Sequence, residues 1–332
     1  MISPVSPRKI LLDTDPGGDD VFALLWLQSL IRQGFAELVA VATADGNVAA
    51  GRTFTTASQL LKLGGMENIP VGRGVLVENS GVGNAAHIHG DDGIGNLSAT
   101  LPPPAHEWDA APGSDRLIIE CLERDPGAVT IVAIGPLTNL AAAERRRPGI
   151  LKLAREIVIM GGAFNLGGNV TPHGEFNITY NPEAARTVFE SRGDLVMISL
   201  DVTQHLILTR NVGDRIAEVN PNSAIVKFML GLIDFMIQTG LKNRRTRGIP
   251  GFLVHDAATV AYLFYPELFK FYRARVTVET QGESTRGMTW FERTHTAKPD
   301  ANTWVISDVD PEMFFAILIE DFKELVRSDS RE

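Results

Sequence analysis

Cysteine is almost missing from this chain: Cys121 is the only one in 332 residues. A single thiol cannot close an intrachain disulfide, so a reducing compartment is the simpler setting. Excess positive charge is missing too. The 31 Lys and Arg face 40 Asp and Glu, for a net charge of -9. That balance excludes a general nucleic-acid or anionic-membrane surface and suits a small, neutral or cation-assisted ligand. No basic stretch followed by an apolar run opens the chain, and residues 9–12 are too few for a signal peptide. The longest apolar stretches read as shorter than a membrane span. The cytoplasm is therefore the expected location, and the sequons at Asn96 and Asn177 are expected to carry no glycan. There is no Pro/Ser-rich linker and no internal repeat, so residues 1–332 read as one domain.

With 44% hydrophobic residues the chain can bury a sizeable core. Short aliphatic runs at 9–12, 37–42, 129–134, 156–160 and 195–200 read as strands. Helical patterns at 19–33, 48–63, 136–146 and 181–191 lie between them. Strands separated by helices predict right-handed βαβ units, so the expected fold class is α/β, a mainly parallel central sheet flanked by helices. Beyond residue 203 the pattern changes. Helices are predicted at 222–239, 254–264 and 311–326, and strands at 271–279 and 304–306 as an antiparallel addition.

The segment Asp13-Thr14-Asp15-Pro16-Gly17-Gly18-Asp19-Asp20 carries four aspartates within eight residues, directly after the first strand. Such close carboxylates repel one another unless something positive intervenes, and the segment contains no Lys or Arg partner. A hard divalent cation is the natural counter-charge, and oxygen-only ligation favours Ca²⁺ or Mg²⁺ over zinc. Ligands of parallel α/β sheets bind at the carboxyl ends of strands, where this loop must lie. The plainer alternative is helix capping by Asp19 or Asp20 and a turn closed by Asp13, but capping needs only one such residue. Asp13 is the member most readily structural. His255-Asp256 before a predicted helix and Glu175-Phe176-Asn177 after a glycine-rich stretch are further candidates, each ambiguous alone. Gly81-Val82-Gly83 lacks the flanking strand and helix of a dinucleotide site.

Taken together these residues resemble the inosine-uridine preferring nucleoside hydrolases. The similarity runs from the aspartate loop through Asp45-Gly46-Asn47, His87-Ile88-His89-Gly90 and 134–140. It continues through Ile159-Met160-Gly161-Gly162, Asn169, 175–177, 181–185 and His255-Asp256, in family order. The resemblance implies hydrolysis of the N-glycosidic bond of ribonucleosides. It implies one Ca²⁺ held by Asp15, Asp20, Asp256 and the Thr138 backbone carbonyl, shared with the ribose 2′- and 3′-hydroxyls and a water. Asp15 would take the water's proton, and His255 occupies the position of the leaving-group acid. Asp19 and Asn177 would grip the diol, with Asn169 and Glu175 on the 3′- and 5′-hydroxyl side. Asn47 would support the water shell, Met160 would pack under the sugar, and His87 and His89 would border the pocket. A homodimer or homotetramer is expected on the same ground, with a ribonucleoside as partner and neither nucleic acid nor membrane.

The residue types suit that chemistry. An oxocarbenium-like ribosyl centre needs water on one face and help for the departing base, and acidic groups stabilise the developing positive charge. One departure stands out. Residues 239–248 hold none of the tyrosines expected to face the base; they hold a basic run, Lys242 to Arg247, that reads as a flap, an oligomer contact or a solvated helix face. Phe252 is either a substitute aromatic wall or core packing. Base preference is left open. Two rivals remain at this point: a haloacid-dehalogenase-like phosphatase, which also opens on Asp-x-Asp, and a nucleoside-binding member of the fold without turnover.

Overall fold

The computed structural model describes residues 6–292 and 300–328. In chain order its strands are β1 (Arg8–Thr14), β2 (Ala36–Thr43), β3 (Val71–Gly72), β4 (Val129–Ala133), β5 (Glu156–Met160) and β6 (Leu195–Ile198), then β7 (Ile207–Thr209), β8 (Gly251–Leu253), β9 (Phe269–Ala274), β10 (Val276–Val278), β11 (Thr289–Phe291) and β12 (Thr303–Val309). Eight of them form one sheet in the order β3-β2-β1-β4-β5-β6-β12-β9. All neighbours run parallel except β9, which is antiparallel to β12 at the edge. The chain forms a single α/β domain of the expected kind.

β1 shows why the aliphatic run fits a doubly covered sheet. Ile10 and Leu12 point into one core and Leu11 into the other, so both faces are apolar. The helices Gly18–Arg32 and Pro311–Ser328 cover the first face. Ser114–Arg124, Thr138–Arg146 and Pro182–Ser191 cover the second. Trp26 on the first of these helices is buried, and its indole N–H donates to Asp321 at 2.6 Å. After β1 the chain moves to β2 and β3 on one side, then returns to β4 on the other. That reversal opens a crevice at the carboxyl end of β1, flanked by the loops after β2 and β4.

Several boundaries differ from expectation. The strand predicted over 195–200 stops at Ile198, and Leu200 opens the short helix Leu200–Thr203. The strand predicted over 271–279 is two strands in two sheets. Asn302 causes the break: its Oδ1 accepts from the Val276 N–H and its Nδ2 donates to the Val276 carbonyl, so β10 leaves β12 and pairs with β11. The helix predicted from 254 begins at Ala257, because the Val254 N–H is held by the Leu206 carbonyl beside the antiparallel β7–β8 pair. The helix Ala224–Lys242 is long and apolar enough to cross a membrane, contrary to the reading of shorter apolar stretches. It nevertheless buries Ile225, Val226, Phe228, Met229, Leu232, Ile233 and Met236 in the protein core.

Candidate active site

β1 ends at Thr14 and the next helix begins at Gly18, so the turn between them carries Asp15 and places Asp19 and Asp20 in the helix's first turn. Unpaired backbone N–H groups and the positive helix end favour acids there. Asp20 accepts from the Gly17 N–H at 2.9 Å, Thr14 Oγ1 at 2.6 Å and Asn47 Nδ2 at 3.2 Å. Position 17 has no room for a side chain, since a Cβ would lie 2.6 Å from Asn47 Nδ2 and 2.9 Å from His89 Nδ1. Asp15 accepts from the Asn47 backbone N–H at 2.7 Å, and its Oδ1 is buried without a partner. Asp13 stands apart. Asn139 Nδ2 donates to it at 2.9 Å, and burial pushes its pKa up to about 8. It closes the strand end and does not line the cavity.

Asp256 arrives from the other side, between β8 and the helix Ala257–Phe264. Oxygens of Asp19, Asp20 and Asp256 lie within 4.8 Å of one another. All three are buried. Burial first, then repulsion from Asp20, raises the Asp19 pKa to about 7; Asp15 and Asp256 are pushed well above the ordinary carboxylate range for the same reasons. A buried all-oxygen group with no paired cation among the described residues, beside an orphaned carboxylate oxygen, can hold a hard metal ion. Asp15 is not in the close trio, but its charge acts on Asp256 and it feels those of Asp19 and Asp20. Thr138 opens the helix after β4; it is buried and does not line the cavity.

Above the trio lies a cavity of about 310 Å³. Asp19, Asn47, His89, Met160, Asn169, Glu175, Asn177, His255 and Asp256 all line it. Asn177 donates through Nδ2 to the Ile134 carbonyl at 2.9 Å and the Met160 carbonyl at 3.2 Å, which aligns it across the ends of β4 and β5. Glu175 accepts three backbone N–H groups, from Gly162, Asn177 and Ile178, at 2.9 to 3.1 Å. It therefore caps the short helix Phe176–Tyr180 as well as facing the cavity. Asn169 is exposed, and its Oδ1 accepts the Phe176 N–H at 2.9 Å. His89 Nδ1 accepts the Gly18 N–H at 2.8 Å, which fixes the neutral tautomer with a proton on Nε2. His255 Nδ1 meets Thr203 Oγ1 at 2.7 Å. Burial holds both imidazoles at a pKa of about 3, so each faces the cavity uncharged. His87 is exposed at the cavity's edge.

Comparison with known proteins decides the family. The inosine-uridine preferring nucleoside hydrolase family model matches residues 10–316. The chain belongs to that family. It is 34% identical over 323 residues to the inosine-uridine preferring nucleoside hydrolase of Leishmania major, covering 96% of this chain and 98% of that one. It is 34% identical to the pyrimidine-specific ribonucleoside hydrolase RihA of Shewanella woodyi, covering 96% and 99%. The solved purine-preferring ribonucleoside hydrolase from Gardnerella vaginalis superimposes with a TM-score of 0.87 at 28% identity, covering 97% and 100%. Membership in the nucleoside hydrolase family leaves the phosphatase alternative without support.

For a nucleoside hydrolase, the cavity also holds residues that the sequence reading missed. Met236 reaches it from the helix Ala224–Lys242 and packs on Gly18, where a Cβ would meet its Sδ at 2.5 Å. Arg245 lines it from the basic run. Phe252 fills both roles considered for it: it lines the cavity and packs on Phe22 with ring centroids 5.5 Å apart. Tyr180 braces the floor from outside, donating to Asp45 at 3.0 Å.

Proposed function

We propose that this chain hydrolyses the N-glycosidic bond of ribonucleosides to free base and ribose, with one Ca²⁺ at the acidic end of the cavity. The observation that supports the reading is the buried Asp19, Asp20 and Asp256 trio, without an ion pair among the described residues, at the floor of a cavity in a chain of the nucleoside hydrolase family. Asp20 and Asp256 of the trio would hold it, with Asp15, whose buried Oδ1 has no partner, and the Thr138 carbonyl as the further donors that the family resemblance implies, and Asp19 left beside it. Bound there, the ion would supply positive counter-charge and Lewis acidity toward a vicinal diol and a water.

The protein's own groups do the rest. Asp15 takes the proton of the water that attacks C1′, a contribution worth about 10²–10⁴-fold. Asp19 and Asn177 hold the ribose hydroxyls, and Met160 supports the sugar's apolar face. Carboxylates around C1′ favour positive charge on the ring as the bond to the base lengthens. The electron pair of that bond leaves with the base. His255, with Nδ1 tied to Thr203, offers Nε2 to the departing base as a neutral hydrogen-bond partner.

A ribonucleoside panel assayed for free ribose, with EGTA and after Ca²⁺ is restored, tests this. Ribose release that disappears with EGTA and returns with Ca²⁺ is expected. Tight nucleoside binding without release, at saturating Ca²⁺, would overturn it and favour a binding protein on the same fold.

A further inference from the structure

Arg245 has no part in the mechanism above. Along the basic run Lys242, Arg244 and Arg247 are exposed, as a solvated face would be. Arg245 turns the other way and lines the cavity with Asn243, Phe252 and Leu253. The backbone enforces this. Arg244 (φ 54°) and Arg247 (φ 53°) are both left-handed, a conformation costly for residues with a Cβ, and they bracket the turn. The Arg245 N–H bonds the Gly240 carbonyl at 3.0 Å, and buried Thr246 donates through Oγ1 to the Ile249 carbonyl at 2.6 Å. A strained turn is thus pinned at both ends with one guanidinium aimed inward.

That guanidinium makes no ion pair and no hydrogen bond among the described residues, although the charges of Asp19 and Glu175 act on it. A largely buried cation without a partner is costly. Inside a ligand cavity the missing partner is the ligand. Ionised beside a bound cation, the carboxylates at the floor would be acceptors only, so they suit hydroxyl donors and not a base carbonyl. Arginine is donor only, with a planar fork. Guanine and hypoxanthine present two acceptors, O6 and N7, at the spacing of that fork. Adenine presents N7 beside an N6 donor, which opposes it. Uracil offers carbonyl oxygens without the N7 partner.

We propose that Arg245 is the specificity-determining residue at the base end of the cavity, its guanidinium taking O6 and N7 of a 6-oxopurine nucleoside. The inference rests on the hydrolase reading and deepens it. It also addresses what the relatives leave open, because those named above are called inosine-uridine preferring, pyrimidine-specific and purine-preferring in turn. As the C1′–N9 bond breaks, its electron pair enters the purine ring, and a fixed positive charge beside O6 and N7 stabilises it there.

The test uses the full chain with Ca²⁺ and compares kcat/KM for inosine, guanosine, adenosine and uridine. Inosine and guanosine should exceed adenosine by about 10- to 100-fold, the discrimination expected of one bidentate pair. Arg245→Gln should bring the inosine-to-adenosine ratio to within about 3-fold while leaving Tm unchanged or higher, and Arg245→Lys should restore rate more than ratio. Arg244→Gln, the same change of charge one residue away and outside the cavity, should keep the wild-type ratio. An Arg245→Gln ratio equal to wild type, or a wild-type preference for adenosine or uridine, overturns the proposal. Calorimetric binding of free hypoxanthine against free adenine gives a second readout that needs no turnover: loss of the hypoxanthine preference in Arg245→Gln supports the proposal, and its persistence overturns it. A wild-type enzyme that releases ribose from none of the four nucleosides, yet prefers hypoxanthine through Arg245, would sink the hydrolase reading alone.

Discussion

The two ends of the cavity are built differently. The acidic end is held by strand ends: Asp15 and Asp20 are clamped by Asn47 and Gly17 at the top of β1, and Asn177 spans the ends of β4 and β5. The end proposed for the base is held by loops, from residues 83–85, from Val170 and from the turn that carries Asn243 and Arg245. Groups on strand ends are positioned by the sheet itself, and loop groups are free to differ between relatives without disturbing the core. Such a division would let one family contain members named for different bases, as the relatives above are.

If the floor reads ribose and the loops read the base, changes at the floor should cost most. Inosine and 2′-deoxyinosine differ by one hydroxyl, and a site built around that hydroxyl should disfavour the deoxy substrate by about 10⁴-fold in kcat/KM. Comparable values for the two would break the comparison at once. Asp15→Asn keeps the shape and removes the base; kcat should fall about 10³-fold with Tm unchanged or raised, since a buried, repelled charge is lost. Near wild-type rates would remove Asp15 from that role. Gly17→Ala should cost about 1–3 kcal/mol through overpacking against Asn47 and His89, read as a drop in Tm with reduced turnover for every base. A change confined to one base would place this turn at the wrong end.

The same division governs what was legible in the sequence. β1 and its four aspartates were readable because a run of apolar residues and a dense set of like charges each leave few physical solutions. Asp13 stood out as the structural member for the same reason, and Asn139 supplies its partner. Glu175 was read as a sugar contact only, because nothing in its neighbours reveals that three backbone N–H groups converge on it from two elements. Arg245 was hidden more deeply. Its direction is set by positive φ at two arginines, and left-handed backbone announces itself in sequence only when glycine or asparagine takes it. The paired three-residue strands β7 and β8 are too short for period-two alternation, so the sequence pattern puts the start of the helix after Asp256 three residues too early. The break at Arg275 depends on Asn302, more than twenty residues downstream.

The smallest expected effect separates the two ends by titration. In metal-free enzyme two buried carboxylates have pKa values raised above those of the unfolded chain, Asp19 at the floor to about 7 and Asp13 outside the cavity to about 8, chiefly by burial. A raised folded-state pKa means that the folded protein binds more protons than the unfolded one between the two values. Stability is therefore fully present below the unfolded carboxylate pKa of ~4 and is lost as pH rises through the folded values. In EGTA, Tm should fall by several degrees between pH 5 and pH 8. Saturating Ca²⁺ should remove most of that slope, because the ion replaces the protons as counter-charge, with the remainder assigned to Asp13 outside the trio. At the base end, Arg245→Gln should steepen the metal-free slope only slightly: the guanidinium does not titrate in this window, but its loss removes a positive charge that lowers the Asp19 pKa. A metal-free Tm that is flat or rises across the window would mean that the floor is already neutralised by something other than protons, and the contrast between an acid end that needs a cation and a base end that supplies one would fail.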